Sequence, residues 1–297
     1  WYRTQVISQV GELYYELIAL DKRLEILQRN ITLQSKGLEI VKAQMAGGRA
    51  TALAVSQFRA QRMATEGKQF VVRQAITRIE TELNMLMGQY MGKISRDTSA
   101  INHPLPKKIY AGIPVKVILG RPDIQQAELG LRAAKADVSV ARKAFLPSLT
   151  LDAYAGYNAF RLPLLFSPGS LARGFLAGLT APLLNRSALK NGQQVANSAQ
   201  LSAFYHYQKS LIQGYQEVVA QLAALENYKQ AYEYKSKQVA ELRRAVATAN
   251  DLYLTGYASY LEVIVAQASV LEAEMEQVDL KQKSYSSLIS LFRALGG

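Results

Sequence analysis

The sequence predicts a mainly α fold with a small β part: two long helical hairpins, one at each end, joined through a shorter helix and a pair of strands. Three observations carry this expectation. All eight prolines of the 297 residues lie between Pro104 and Pro182. Proline removes a backbone donor and clashes with the preceding turn, so both ends of the chain are free to be helical. In both of those arms apolar residues recur at alternating spacings of three and four. Between the arms the apolar period falls to two over two runs of about ten residues.

The first arm spans 1–90. Val6, Val10, Leu13, Leu17, Leu20, Leu24, Leu27 and Ile31 form a heptad seam. The seam reads as broken by polar Gln34 and resumes at Leu38, Val41 and Met45. Gly47 and Gly48 then stop the helix, Gly48 in the manner of a C′ glycine, and Thr51 starts the next as an N-cap, which places a turn at 47–51. Residues 91–120 are rich in Gly, Pro and Lys and read as a connector. Arg121-Pro122-Asp123-Ile124 opens a helix over 121–144, with proline in its first turn and Asp123 at the positive end of its dipole.

A strand pair follows within 145–185. Leu149, Leu151, Ala153, Ala155 and Tyr157 point one way, and Ser148, Thr150, Asp152, Gly156 and Asn158 the other. After a loop bearing Pro and Gly, Leu171, Phe175, Ala177, Leu179 and Ala181 share a face opposite Ala172, Gly174, Gly178 and Thr180, with Arg173 interrupting the apolar side. Read from the residues alone, this pattern fits a half-buried hairpin on a soluble core, the commoner case, or tilted strands facing lipid. A lone two-stranded hairpin is marginal, so it needs either helices or strands of other chains beside it.

The last arm, 186–297, has no proline, and its stretch 188–255 could be a single helix of ~100 Å at ~1.5 Å per residue. Its closing seam is Leu261, Ile264, Ala268, Leu271, Met275, Val278, Gln282, Tyr285, Ile289 and Phe292. Gly48-Arg49-Ala50-Thr51-Ala52-Leu53-Ala54-Val55 aligns with Gly256-Tyr257-Ala258-Ser259-Tyr260-Leu261-Glu262-Val263. The shared turn predicts an internal duplication, with the second turn at 255–259 around Thr255, Gly256 and Ser259.

Composition narrows the function. The net charge is +12, but Lys and Arg alternate with Glu, Asp and Gln along helical stretches, as on solvated helix faces. That argues against a nucleic-acid partner. The absence of cysteine excludes disulfides, thiolate metal sites and a cysteine nucleophile. His103 and His206 stand far apart, and Asp137, Glu128 and His206 occupy ordinary helix positions. No nucleophile–base pair, metal-ligand spacing or nucleotide motif appears, so the expectation is no enzyme, no cofactor and no metal. No apolar run reaches the 18 residues of a membrane helix. The chain opens on Trp1-Tyr2-Arg3, without Met or signal peptide, and reads as a processed or truncated piece.

The run from Gly120-Arg121-Pro122-Asp123-Ile124 through Ala127-Glu128, Leu131, Ala133-Ala134, Ala136-Asp137, Ala141 and Ala144-Phe145-Leu146-Pro147-Ser148-Leu149 to Gly156-Tyr157 resembles the TolC-like outer-membrane efflux family, the outer-membrane factors. It looks like the OprM/CusC/NodT-like branch that carries the Arg-Pro-Asp-Ile motif. Ala181-Pro182-Leu183-Leu184 resembles that branch's exit from the last strand, and Gln216-Glu217-Val218-Val219-Ala220-Gln221-Leu222 its return helix. The resemblance covers essentially the whole chain.

It implies a homotrimer with a transmembrane β-barrel in the bacterial outer membrane and an α-barrel stalk in the periplasm. It implies a passive efflux conduit for drugs or other small toxic compounds, gated at its helical tip. A periplasmic adaptor protein would dock on the turns at Gly47, Gly48, Thr51, Thr255, Gly256 and Ser259, and an inner-membrane pump would supply energy indirectly. Leu149, Leu151, Tyr157, Phe175 and Leu179 would face outer-membrane lipid. Glu262 aligns with the family's acidic ring at the periplasmic aperture, and Tyr253 with a latch tyrosine. The second acidic ring position of the family's type member is Val265 here. Its bridging arginine and that arginine's partner are Ala258 and Ala54, so the ionic latch is missing. The first repeat's strand pair and leading helix are also missing, as is the branch's lipoprotein cysteine; the expectation is that an N-terminal part was cleaved, left out or not observed, and that three such chains, with six strands in place of twelve, do not close a barrel alone. The remaining rival is a soluble periplasmic coiled-coil scaffold or adaptor, which explains the heptads but not the alternating runs.

Overall fold

The computed structural model describes residues 2–90, 92–102, 118–181 and 185–296. Most of the 91–120 connector with His103, and the Pro182-Leu183-Leu184 strand exit, lie outside the described residues. The elements run α1 (Tyr2–Ala46), α2 (Ala52–Leu86), a 3-10 turn (Thr98–Asn102), α3 (Pro122–Lys143), β1 (Ser148–Tyr157), β2 (Leu171–Thr180), α4 (Arg186–Thr255) and α5 (Tyr260–Ala294). The proline-free stretch of the last arm is thus one helix of 70 residues. Contacts divide the chain into two compact units, residues 1–121 with 214–297, and residues 122–213.

In the first unit the heptad seam of α1 is the spine of the core. Leu13, Leu17, Leu20 and Leu27 cluster with Ile79 and Leu83 of α2 and with Leu271, Val278 and Tyr285 of α5. A second cluster near the turns joins Leu38 and Val41 of α1, Val55 and Phe58 of α2 and Val263 of α5. Gln34 does not interrupt the seam, as its polarity suggests. It is buried at 1% exposure, because its spacing of three from Ile31 and four to Leu38 keeps it on the packed stripe. At the ends of the α5 seam Leu261 and Phe292 are exposed. The buried face of α5 is broader than a two-helix seam and includes Val263, Gln267, Val270 and Ala273.

Polar ties fix the unit further. Arg96, in the segment after α2, donates to Asp21 of α1 and Glu80 of α2. Those carboxylates hold its guanidinium more firmly protonated than usual. Arg121, the first residue of the Arg-Pro-Asp-Ile motif, is buried. Its Nη1 donates to the Ala294 carbonyl at 2.9 Å and its Nη2 to Glu217 at 2.9 Å. A cation at the last carbonyls of α5 also complements the negative end of that helix.

The duplication is visible in the helices themselves. α2 and α5 each have 35 residues, and both ends of α5 sit 208 positions after those of α2. Each helix is followed by a glycine of positive φ, Gly88 at 69° and Gly296 at 102°.

In the second unit, α3 carries Asp123 in its first turn and Arg142 and Lys143 in its last, matching its dipole. β1 and β2 form a two-stranded antiparallel sheet. The first part of α4 completes this unit.

Candidate functional site: the paired turns and the strand pair

The two interhelical turns share one construction. Gly48 at φ 71° and Gly256 at φ 84° take the left-handed conformation that ends a helix. The Arg49 amide donates to the Gln44 carbonyl and the Gly48 amide to Met45. The Tyr257 amide donates to Leu252 and the Gly256 amide to Tyr253. Both are Schellman closures, at equivalent positions of the two repeats. Thr51 then caps α2, its hydroxyl accepting the Ala54 amide at 3.2 Å. Ser259 caps α5 in a capping box, in which the Glu262 carboxylate accepts the Ser259 amide.

The turns lie together. Gln44, Arg49, Thr51, Tyr253, Gly256 and Ser259 line one concavity of about 400 Å³. Across it the Tyr253 hydroxyl donates to Gln44 Oε1, joining the last turn of α4 to the last turn of α1. Burial pushes the Tyr253 pKa up, which keeps the phenol protonated and able to donate. Around the turns Leu53, Tyr257, Leu261 and Val265 expose apolar surface. Glu262 is exposed, and its carboxylate is engaged by the cap. Gly47, Gly48 and Gly256 add no side chain, and no neighbouring atom approaches a Cβ position at Gly48 or Gly256.

The strand register sorts the second set of residues. Leu149 pairs with Leu179, Leu151 with Ala177, Ala153 with Phe175 and Tyr157 with Leu171. Paired residues share a sheet face, so the apolar sides of both strands coincide. Leu149, Leu151, Tyr157, Phe175 and Leu179 are 57–73% exposed: nothing in the described residues covers this face. The opposite face pairs Ser148 with Thr180, Thr150 with Gly178 and Asp152 with Leu176. Tyr154 lies over Gly174 there, its ring 2.6 Å from where a Cβ would stand. Among the described residues no group of three metal-ligating side chains gathers, and no helix is long and apolar enough to cross a membrane.

A profile of outer membrane efflux proteins matches residues 113–297. The chain belongs to the outer membrane efflux protein family. Among curated relatives, it is 29% identical over 292 residues to the pyoverdine export outer membrane protein OpmQ of Pseudomonas putida, covering 98% of this chain and 62% of that one. It is 27% identical over 293 residues to the cation efflux system protein CusC of Escherichia coli, covering 98% of this chain and 64% of that one. Among solved structures, the outer membrane protein VceC of Vibrio cholerae superposes with a TM-score of 0.87 at 26% identity, over 99% of this chain and 70% of that one. The chain thus spans less than two thirds of the length of these curated relatives.

Within this family member, Thr51, Tyr253, Thr255, Gly256 and Ser259 of the turn residues singled out in sequence line one concavity, Gly47, Gly48 and Glu262 do not, and the strand residues fall on one exposed face. Three features had no separate signal in the sequence. Gln44 as the partner of Tyr253 and Arg121 as the tie to α5 are contacts between residues more than 170 positions apart. Tyr154 and Leu176 lie on the otherwise small and polar strand face; the covering of Gly174 by a ring needs the register to be known.

Proposed function

We propose that the chain is part of an outer-membrane channel subunit of a tripartite efflux system, a passive conduit from periplasm to exterior. It acts as a homotrimer: β1 and β2 enter a transmembrane barrel, and the helical hairpins form a periplasmic stalk whose closed end is the paired turns. The observation that carries this reading is the uncovered apolar face of the strand pair. A two-stranded sheet with one fully exposed apolar face is unstable in water. Lipid on one side and neighbouring strands at both edges satisfy it.

Conduction requires no bond making, so the helical end sets the rate through its width and charge. The Tyr253–Gln44 bond spans the two hairpins and takes the place of an ionic latch. The concavity between the two turns, lined by Arg49, Thr51, Gly256 and Ser259 with apolar surface around it, is where a periplasmic adaptor would seat a helical hairpin of its own and separate the two turns. An inner-membrane pump would supply the energy through that adaptor. Drugs or other small toxic compounds are the expected cargo class; the relatives' names, pyoverdine export and cation efflux, support a small solute as cargo.

Single-channel recording of the full-length protein in planar bilayers tests this. The expected result is small, infrequent openings for the unchanged protein. Tyr253→Phe, which keeps the ring and deletes the hydroxyl, should open more often, because one hydrogen bond of about 0.5–1.5 kcal/mol is lost per subunit. A protein that never conducts, with or without its adaptor, would falsify the channel reading.

A further inference from the structure

Away from the turns, a second set of charges converges where α1, α4 and α5 meet. Lys22, Arg29, Arg243 and Lys281 line one crevice of about 120 Å³ with Tyr232 and a single acid, Glu274. Glu274 is 3% exposed. Its carboxylate is shared by Arg29 Nη2 at 2.7 Å and Arg243 Nη2 at 2.6 Å. One negative charge therefore faces two guanidinium groups, which it holds in place without neutralising both. Lys22 bonds Glu25 at 2.7 Å, on the exposed side of α1. Lys281 has no carboxylate within ion-pair distance among the described residues. Its ammonium sits 5.0 Å from the centroid of the Tyr232 ring and 5.6 Å from that of Tyr285.

Such a cation is short of counter-charge, and burial pulls its pKa down accordingly. Ile101 also lines the crevice, and the residues that follow in sequence, 103–117, include Lys107, Lys108 and Lys116 but no acid. That stretch of chain cannot supply the missing negative charge.

We propose that this crevice binds a compact oxyanion of two or more negative charges, of the phosphate or pyrophosphate type, and that the bound anion ties α1 of the first repeat to α4 and α5 of the second. The donor set suits such a ligand. Two guanidinium groups are pre-positioned by the buried Glu274, which takes Nη2 of Arg29 and both Nε and Nη2 of Arg243, and their remaining N–H groups suit phosphate oxygens. The Lys281 ammonium adds a point charge that no carboxylate among the described residues offsets, while Lys22 is held by Glu25 at the rim. A monovalent halide offers too few acceptor atoms to engage both guanidinium groups and Lys281 together. The site stands on packing within one chain and does not depend on transport.

The test is binding of inorganic pyrophosphate to the purified full-length protein by calorimetry, at constant ionic strength set with sodium chloride. Saturable binding of one anion per chain is expected. Lys281→Met keeps the aliphatic stem against the tyrosine rings and should weaken binding about 10-fold or more, the loss of one charge-assisted bond. Lys237→Met is the control: Lys237 rests on the Tyr234 ring outside the crevice, and its loss should leave binding unchanged. Pyrophosphate should also protect Lys281 of the unchanged protein from acetylation while Lys237 stays reactive, a readout that does not depend on any variant folding. Absence of saturable binding, equal weakening in both variants, or equal acetylation of Lys281 with and without the anion would overturn the proposal, leaving only diffuse attraction to a basic surface.

Discussion

At the turns, Glu262 has two separable tasks. Its carboxylate accepts the Ser259 amide and so caps α5. In the proposed trimer its charge would also recur around the helical end and favour cations. Glu262→Gln divides the two, since glutamine serves a capping box as well as glutamate does. The expected outcome is a thermal stability unchanged within about 0.5 kcal/mol, with cation preference, read as the reversal potential in a salt gradient, clearly reduced. Glu262→Ala should lose the cap as well, at a cost of about 0.5–2 kcal/mol. An unchanged reversal potential in Glu262→Gln would place the carboxylate away from the ion path. The Tyr253 hydroxyl is insensitive to pH in the neutral range. Burial raises its pKa, so its contribution is full below the usual tyrosine pKa of about 10 and is lost only as pH rises through the higher folded value.

Among the elements, the ends of α1, α2, α4 and α5 were legible in the sequence because local chemistry sets them. Gly48, Thr51, Gly256 and Ser259 each satisfy orphan backbone groups of their own helix, and the structure repeats them 208 positions apart. The strand faces were legible for the same reason, a period of two in Leu149, Leu151 and Tyr157. What stayed hidden is pairing across elements. Gln34 looked like an interruption because polarity is visible and burial is not, and nothing near Arg121 announces that its partners are Ala294 and Glu217. That tie has a measurable worth. Arg121→Met removes bonds to the end of α5 from a buried position, for a loss of about 1–3 kcal/mol. Arg132→Met removes an exposed Arg132–Glu128 pair of α3 and should cost under about 0.5 kcal/mol. Thermal unfolding followed by helical circular dichroism compares them, and matching losses would show that the Arg121 bonds contribute nothing beyond a surface pair.

For the whole molecule, the decisive question is what covers the apolar face of the strand pair, and neighbouring residues of β1 answer it. Leu151 and Asp152 are adjacent in sequence, so they sit at one depth along the strand and point to opposite faces. If the Leu151 face meets lipid, Leu151→Arg puts a guanidinium into hydrocarbon at a cost of about 2–4 kcal/mol near the middle of the membrane. A trimer would bear this three times over. Asp152→Arg would instead place the same side chain in a water-filled lumen, where it changes ion preference and not assembly. Leu151→Arg should therefore deplete the protein from the outer-membrane fraction, while Asp152→Arg should reach it in normal amount and shift reversal potential toward anions. A soluble scaffold makes a different forecast: its Leu151 face would rest on protein, neither variant would change a membrane fraction, and both would remain in the periplasmic extract. The comparison holds chain, strand and introduced charge fixed and varies only the direction of one side chain.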